Sequence, residues 1–210
     1  IGVLASVLLA AGGYIINDLY DLETDTTNKP QRITIGKGVS EDLAWYLYFG
    51  TLIGATICAY LLAQEVGLDN LWLIAPLASL MLYFYALDLK KRILIGNLIV
   101  SLLSAMPVFL VAVFDILPAA TDNNAEQVQQ GFYVLAAYAA FAFWLSLIRE
   151  IIKDLEDRKG DAQAGYRTLA IVLSEQAMKI LLGVLILVAI APIVWYAFDL
   201  WQMGTQYSAS

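Results

Sequence analysis

Long apolar runs alternate with short polar segments along the chain. Leu43 to Leu62, Leu71 to Leu87, Ile93 to Phe114, Phe132 to Ile148 and Ala177 to Leu200 are each almost uninterrupted by charge. Each is about long enough to cross a bilayer as a helix, which takes about 17–25 residues. Ile1 to Ile16 is a sixth and shorter run. No Met and no charged region precede it, so it does not read as a signal peptide. It reads as a membrane helix entered part-way. The pattern predicts an all-α membrane protein: a transmembrane helical bundle with about six helices present, forming a single domain over residues 1–210.

The polar segments divide sharply by charge. Lys29, Arg32 and Lys37 fall in the first, Lys90, Lys91 and Arg92 in the third, and Arg149, Lys153, Arg158, Lys159 and Arg167 in the fifth; Lys179 completes the 12 basic residues. The segments Gln64 to Asn70 and Asp115 to Gly131 carry none. The excess of Lys and Arg on cytoplasmic loops then places segments one, three and five at the cytoplasmic face. The expected location is the inner, cytoplasmic membrane, multi-pass, with lipid all round.

Two polar segments open with acids in the same spacing. Asp18, Asp21 and Asp25 follow the first apolar run; Asp154, Asp157 and Asp161 follow the fifth. In a helix, offsets of three and seven fall on one face. Each stretch therefore reads as a helix end presenting a column of carboxylates, with the two columns facing each other. A lone charged run beside a membrane helix is ordinarily a solvated loop. Two runs of matched spacing at the same face point instead to a site.

Composition narrows the chemistry. The chain is 60% apolar and 15% charged, where about a quarter is usual for a soluble domain. It has no His, which excludes His general bases and His-held zinc, and one Cys, Cys58, which excludes a disulfide framework. Crowded carboxylates with only oxygen donors suit Mg²⁺, which bridges one or two carboxylates to phosphate oxygens. Lys153, Arg149, Arg32 and Lys90 are placed to take the remaining negative oxygens. An apolar chamber beneath is expected to receive a hydrocarbon tail. The expected ligand is a diphosphate with a lipid tail; neither a nucleic acid nor an obligate protein partner is expected.

Smaller signals fill in the chain. Gly12 and Gly13 mark either close helix approach or local flexibility. Pro30 keeps the first helix from continuing, and Ser40 is placed to cap the second. The helices at 43–62 and 71–87 are expected to be antiparallel neighbours. Tyr83 and Lys91 read as interfacial anchors. Thr121 to Gln130 reads as an outer loop. Gly160 and Gly165 mark the end of the fifth helix, and Thr168 the start of the last.

These motifs resemble the UbiA superfamily of intramembrane prenyltransferases across nearly the whole chain. Asn17-Asp18-x-x-Asp21-x-x-x-Asp25 resembles its first aspartate motif, Asn28-Lys29-Pro30-Gln31-Arg32 the N-K-P-x-R that often follows, and Lys153-Asp154-x-x-Asp157-x-x-Gly160-Asp161 its second motif. Tyr85-Ala86-Leu87-Asp88-Leu89-Lys90 is similar to the family's Y-S-x-x-L-K element, with Gly96-Asn97 after it. The resemblance implies nine helices, of which the first and the last two would be missing here. It also implies Mg²⁺-dependent transfer of a polyprenyl group from its diphosphate to a lipophilic acceptor. By it, Asn17, Asp18, Asp21 and Asp25 would serve one metal ion and Asp154, Asp157 and Asp161 another. These aspartates would be catalytic, with Asn17, Arg32, Tyr85, Lys90, Arg149 and Lys153 binding substrate. Ile33-Thr34-Ile35-Gly36-Lys37 stands where the family often reads P-L-P-S-G. The acceptor therefore stays open between geranylgeranylglyceryl phosphate and an aromatic quinone precursor such as 4-hydroxybenzoate. Two other readings remain. The D-G-x-x-A-R signature of CDP-alcohol phosphotransferases is missing. A cation transporter would need charges at mid-membrane depth, which these helices lack.

Overall fold

A computed structural model describes the backbone of residues 1–28, 31 and 33–208, with side chains for all of these except 27, 28 and 203–208. Lys29, Pro30 and Arg32 lie outside the described residues. The chain is an all-α bundle: α1 (Gly2–Asn28), α2 (Glu41–Glu65), α3 (Ile74–Leu87), α4 (Ile95–Val111), α5 (Ala125–Gln163), a single turn α6 (Leu169–Val172) and α7 (Glu175–Ser208). Five of these are long and apolar enough to cross a membrane; the segment Leu71–Leu87 is apolar but shorter. Large apolar side chains point outward: Val7, Ile57, Leu187 and Trp195 are all more than half exposed. Helices suit such surroundings because all their backbone polar groups are satisfied within the segment.

Lipid supplies little hydrophobic force to hold apolar helices together, so close packing must do it. Small residues permit that packing. Ala55, Ala59 and Ala63 form a buried stripe on α2, and Ala75, Ala78 and Ala86 lie buried on α3. Gly12 and Gly13 serve the same end. A Cβ on Gly12 would stand 2.8 Å from Thr51 Oγ1, and one on Gly13 would stand 3.2 Å from the Leu82 side chain. Between close approach and flexibility, the contacts favour close approach: α1 is clasped by α2 and α3. Farther on, Ile16, Tyr48 and Ala86 join the same three helices in a buried cluster. A second cluster, Leu147, Ile151 and Met178, joins α5 to α7. Trp144 Nε1 donates to the Leu185 carbonyl at 2.8 Å across the same pair.

Helix ends follow their local chemistry, with some departures from expectation. Ser40 Oγ accepts from the Leu43 amide at 3.2 Å, so Ser40 caps α2 as its sequence suggests. α5 begins at Ala125 rather than Phe132, so more than half of the expected outer loop Thr121 to Gln130 is helix. Asn124 closes the preceding turn, accepting from the Thr121 amide and donating to the Ala119 carbonyl. Gly160 does not end α5; it is buried inside the helix. The break falls at Gly165, with φ +76°. There the Tyr166 amide donates to the Asp161 carbonyl at 2.9 Å and the Gly165 amide to the Ala162 carbonyl at 3.3 Å. This paired pattern needs a left-handed residue at that one position, which glycine adopts freely. Thr168 begins only the short α6. The last helix starts beyond it, where Ser174 Oγ accepts from the Ala177 amide at 3.2 Å.

Candidate active site

α1 and α5 both continue as helix well past their apolar stretches, and their acids sit on those extensions. At about 1.5 Å per residue, the 39 residues of α5 span about 58 Å, against about 30 Å of hydrocarbon. Residues beyond Arg149 therefore reach out of the lipid. The helical continuity keeps Asp18, Asp21 and Asp25 on one face, and Asp154, Asp157 and Asp161 on another. All six line one cavity of about 340 Å³. Asn17, Tyr85, Lys90, Arg149 and Lys153 line it as well. Of the candidate site residues expected from the sequence, Arg32 alone falls outside the described residues.

The first column is held by a network centred on Asp21. Asn17 Nδ2 donates to Asp21 Oδ2 at 2.7 Å, and Lys90 Nζ donates to Asp21 Oδ1 at 2.6 Å and to Asn17 Oδ1 at 3.4 Å. Thr24 Oγ1 donates to the Asp21 carbonyl at 3.0 Å. Lys90 is buried, with 8% of its side chain exposed. Burial holds its pKa below the ordinary lysine value, while the adjoining Asp21 carboxylate opposes that shift.

Lys90 arrives from a tight turn, Leu89–Lys91, between α3 and α4. Two backbone features place it. A Cβ on Gly96 would stand 2.7 Å from Lys90 Cα and 3.0 Å from the Leu89 carbonyl oxygen, so the start of α4 presses directly on the turn. Leu94 has φ +64° and is the sole non-glycine with positive φ among the described residues. Such a conformation costs energy and persists where surrounding packing enforces it. Here the Leu94 side chain is packed against the Leu147, Ile151 and Met178 cluster.

The second column is held from α4. Asn97 is buried, and its Nδ2 donates to Asp154 Oδ2 at 2.9 Å. Ser101 Oγ donates to the Asn97 carbonyl at 2.6 Å. Tyr166, fixed by the turn at Gly165, closes the cavity beside the columns. Its phenol is pushed up to about 12, by burial first and then by the charges of Asp21 and Asp161. The Lys91 ammonium stands 5.6 Å from the centre of the Tyr166 ring, and the Arg167 amide donates to the Lys91 carbonyl at 2.8 Å. The loops after α3 and α5 are thereby joined.

Asn97, Thr24 and Tyr166 escape the sequence reading as site residues. For Asn97 there is a signal, an amide at the start of an apolar run. Thr24 is marked only by its position three residues after Asp21, and nothing local marks Tyr166. Tyr83 and Lys91 are not simple interfacial anchors. The hydroxyls of Tyr20 and Tyr83 are hydrogen-bonded at 3.1 Å inside an aromatic group with Trp45, and Lys91 packs on Tyr166. Apart from the site, a small void of about 10 Å³ lies between α1, α2 and α3.

The donor set fits a hard cation. It comprises carboxylate and amide oxygens, with no His in the chain and Cys58 remote in α2. Among the described residues, no three acids stand close enough to form a ready-made metal cage. That suits Mg²⁺, which takes one or two protein carboxylates and completes its shell with water and substrate phosphate.

The sequence profile of the UbiA prenyltransferase family matches residues 1–209. The digeranylgeranylglyceryl phosphate synthase of Sulfurisphaera tokodaii is 34% identical over 199 residues, covering 88% of this chain and 62% of that protein. That of Saccharolobus solfataricus is 33% identical over 205 residues, covering 91% and 65%. That of Methanosphaera stadtmanae is 30% identical over 199 residues, covering 93% and 66%. The chain spans a little under two thirds of the length of these relatives. No solved structure matches it significantly. With helical architecture, paired aspartate columns and a profile match along almost its full length, the chain belongs to the UbiA prenyltransferase family.

Proposed function

We propose that this chain carries the catalytic core of a membrane prenyltransferase, which moves a polyprenyl group from its diphosphate to a lipophilic acceptor. One observation supports this above others. Two aspartate columns, remote in sequence, line a single cavity together with Lys90, Arg149 and Lys153, at the ends of membrane-crossing helices. Acids and cations interleaved in one cleft suit a ligand whose own charge is dense and negative.

Asn17, Asp18, Asp21 and Asp25 would supply the oxygens for one Mg²⁺, and Asp154, Asp157 and Asp161 those for another, with one or two carboxylates of each column on the ion and water and substrate phosphate completing its shell. When bound, these ions neutralise the diphosphate as charge grows on the leaving oxygen. Lys90, Arg149 and Lys153 take the diphosphate oxygens left over; Arg32 joins them by resemblance. The allylic C–O bond breaks, the diphosphate leaves with the electron pair, and an allylic cation remains. Tyr85 lines the cavity and would stabilise that cation through its π-face. The acceptor oxygen then bonds to the cationic carbon, and its proton passes to a carboxylate of the cavity wall. Tyr166 keeps bulk water from capturing the cation first.

The relatives are named for making digeranylgeranylglyceryl phosphate. This favours geranylgeranylglyceryl phosphate as acceptor over an aromatic quinone precursor. The distribution of Lys and Arg favours a cleft opening to the cytoplasm. The test is to offer membranes containing the protein labelled geranylgeranyl diphosphate with both acceptors. Label is expected in the glyceryl phosphate product. Label only in 4-hydroxybenzoate would replace the acceptor, and no transfer to any acceptor would overturn the reading.

A further inference from the structure

Glu150 is the one buried acid of α5 that the proposed chemistry leaves without a task. It is 4% exposed and does not line the cavity. It sits one helical turn before Asp154, toward the lipid. Its Oε1 pairs with the Arg149 guanidinium and its Oε2 faces the Lys153 ammonium at 4.0 Å. Both cations line the cavity, with 67% and 38% of their side chains exposed.

We infer that Glu150 is a positioning residue: it holds Arg149 and Lys153 at a fixed spacing so that both reach the same diphosphate. This rests on the diphosphate reading above. A buried carboxylate is costly unless paired, and an apolar residue would pack this place with less penalty. Its placement is explained by its partners. Arg149 and Lys153 lie four residues apart on one helix, where like charges repel. A carboxylate behind them, with one oxygen toward each, cancels that repulsion and restricts two side chains that otherwise lose much rotamer freedom on binding. Having one cation on each oxygen and no wall in the cavity, Glu150 is suited to neither a metal nor the substrate.

The test uses the full chain in lipid and inorganic pyrophosphate with Mg²⁺, read by calorimetry, so that neither acceptor nor turnover enters. Glu150→Gln is expected to weaken pyrophosphate binding about tenfold, the scale of coupling between neighbouring charges. It should add little once Lys153→Ala or Arg149→Ala is present. In the transfer assay it should raise KM for the prenyl diphosphate more than it lowers kcat. Glu150→Asp keeps the charge and should recover part of the binding. If Glu150→Gln unfolds, Glu150→Asp with the same coupling to Lys153→Ala decides the matter. Unchanged binding in Glu150→Gln, or losses that simply add to those of Lys153→Ala, would overturn the positioning role. Wild-type protein that fails to bind pyrophosphate at all would overturn the diphosphate reading instead.

Discussion

Gly96→Ala tests how tightly the junction of α3 and α4 controls Lys90. The added methyl would start 2.7 Å from Lys90 Cα and 3.0 Å from the Leu89 carbonyl oxygen, both backbone atoms that cannot rotate away. Ordinary contact begins near 3.4 Å, so the turn must retreat by about 0.7 Å. Lys90 Nζ sits 2.6 Å from Asp21, and such a retreat takes the pair to the edge of hydrogen-bonding distance. Overpacking of this kind costs about 1–3 kcal/mol of stability. Misplacing a group in a site by a comparable distance costs up to about 100-fold in rate. The variant is therefore expected to fold, with a modestly lowered Tm, and to lose about 10- to 100-fold in kcat/KM for the prenyl diphosphate. Thermal unfolding and steady-state transfer, measured side by side in lipid, separate the two effects. Gly96→Ala with wild-type kcat/KM would show that the turn has slack, and the reasoning that ties Lys90 to Gly96 would be wrong.

Three further outcomes are expected. Asp21→Ala and Asp157→Ala each abolish transfer while leaving circular dichroism unchanged; full activity in either would remove that acid from the site. EDTA stops turnover and Mg²⁺ restores it, and transfer indifferent to the chelator would contradict the proposed role of the carboxylates. Gly12→Val forces a branched side chain against Thr51 Oγ1, already 2.8 Å from the first added carbon. It should cost about 1–3 kcal/mol of stability, seen as a lowered Tm, with less effect on KM than Gly96→Ala.

The outline of the site is legible in the sequence because its logic is periodic. Offsets of three and seven mark a helix face whatever surrounds it, so two columns could be read from six aspartates. The Lys and Arg bias brought both columns to one side. What escaped depends on contacts between distant positions. Asn97 meets Asp154 across 57 residues, and no local pattern joins them. Leu94 has a side chain that disfavours the left-handed region, and packing from α5 and α7 overrides that preference. Gly160 and Gly165 look alike in sequence. One is enclosed within the helix and the other has the solvent-side freedom to turn left-handed, a difference of surroundings rather than composition.

The acids of α1 and α5 ride on unbroken rods whose other halves are embedded in acyl chains. A rod that is too long or too short for its bilayer tilts, and its far end moves most. Changing lipid thickness thus alters the gap between the two rows of oxygens without touching either row. On the proposed function, the opening of the cleft then depends on the membrane itself, and turnover in vesicles should pass through an optimum as acyl chain length is varied.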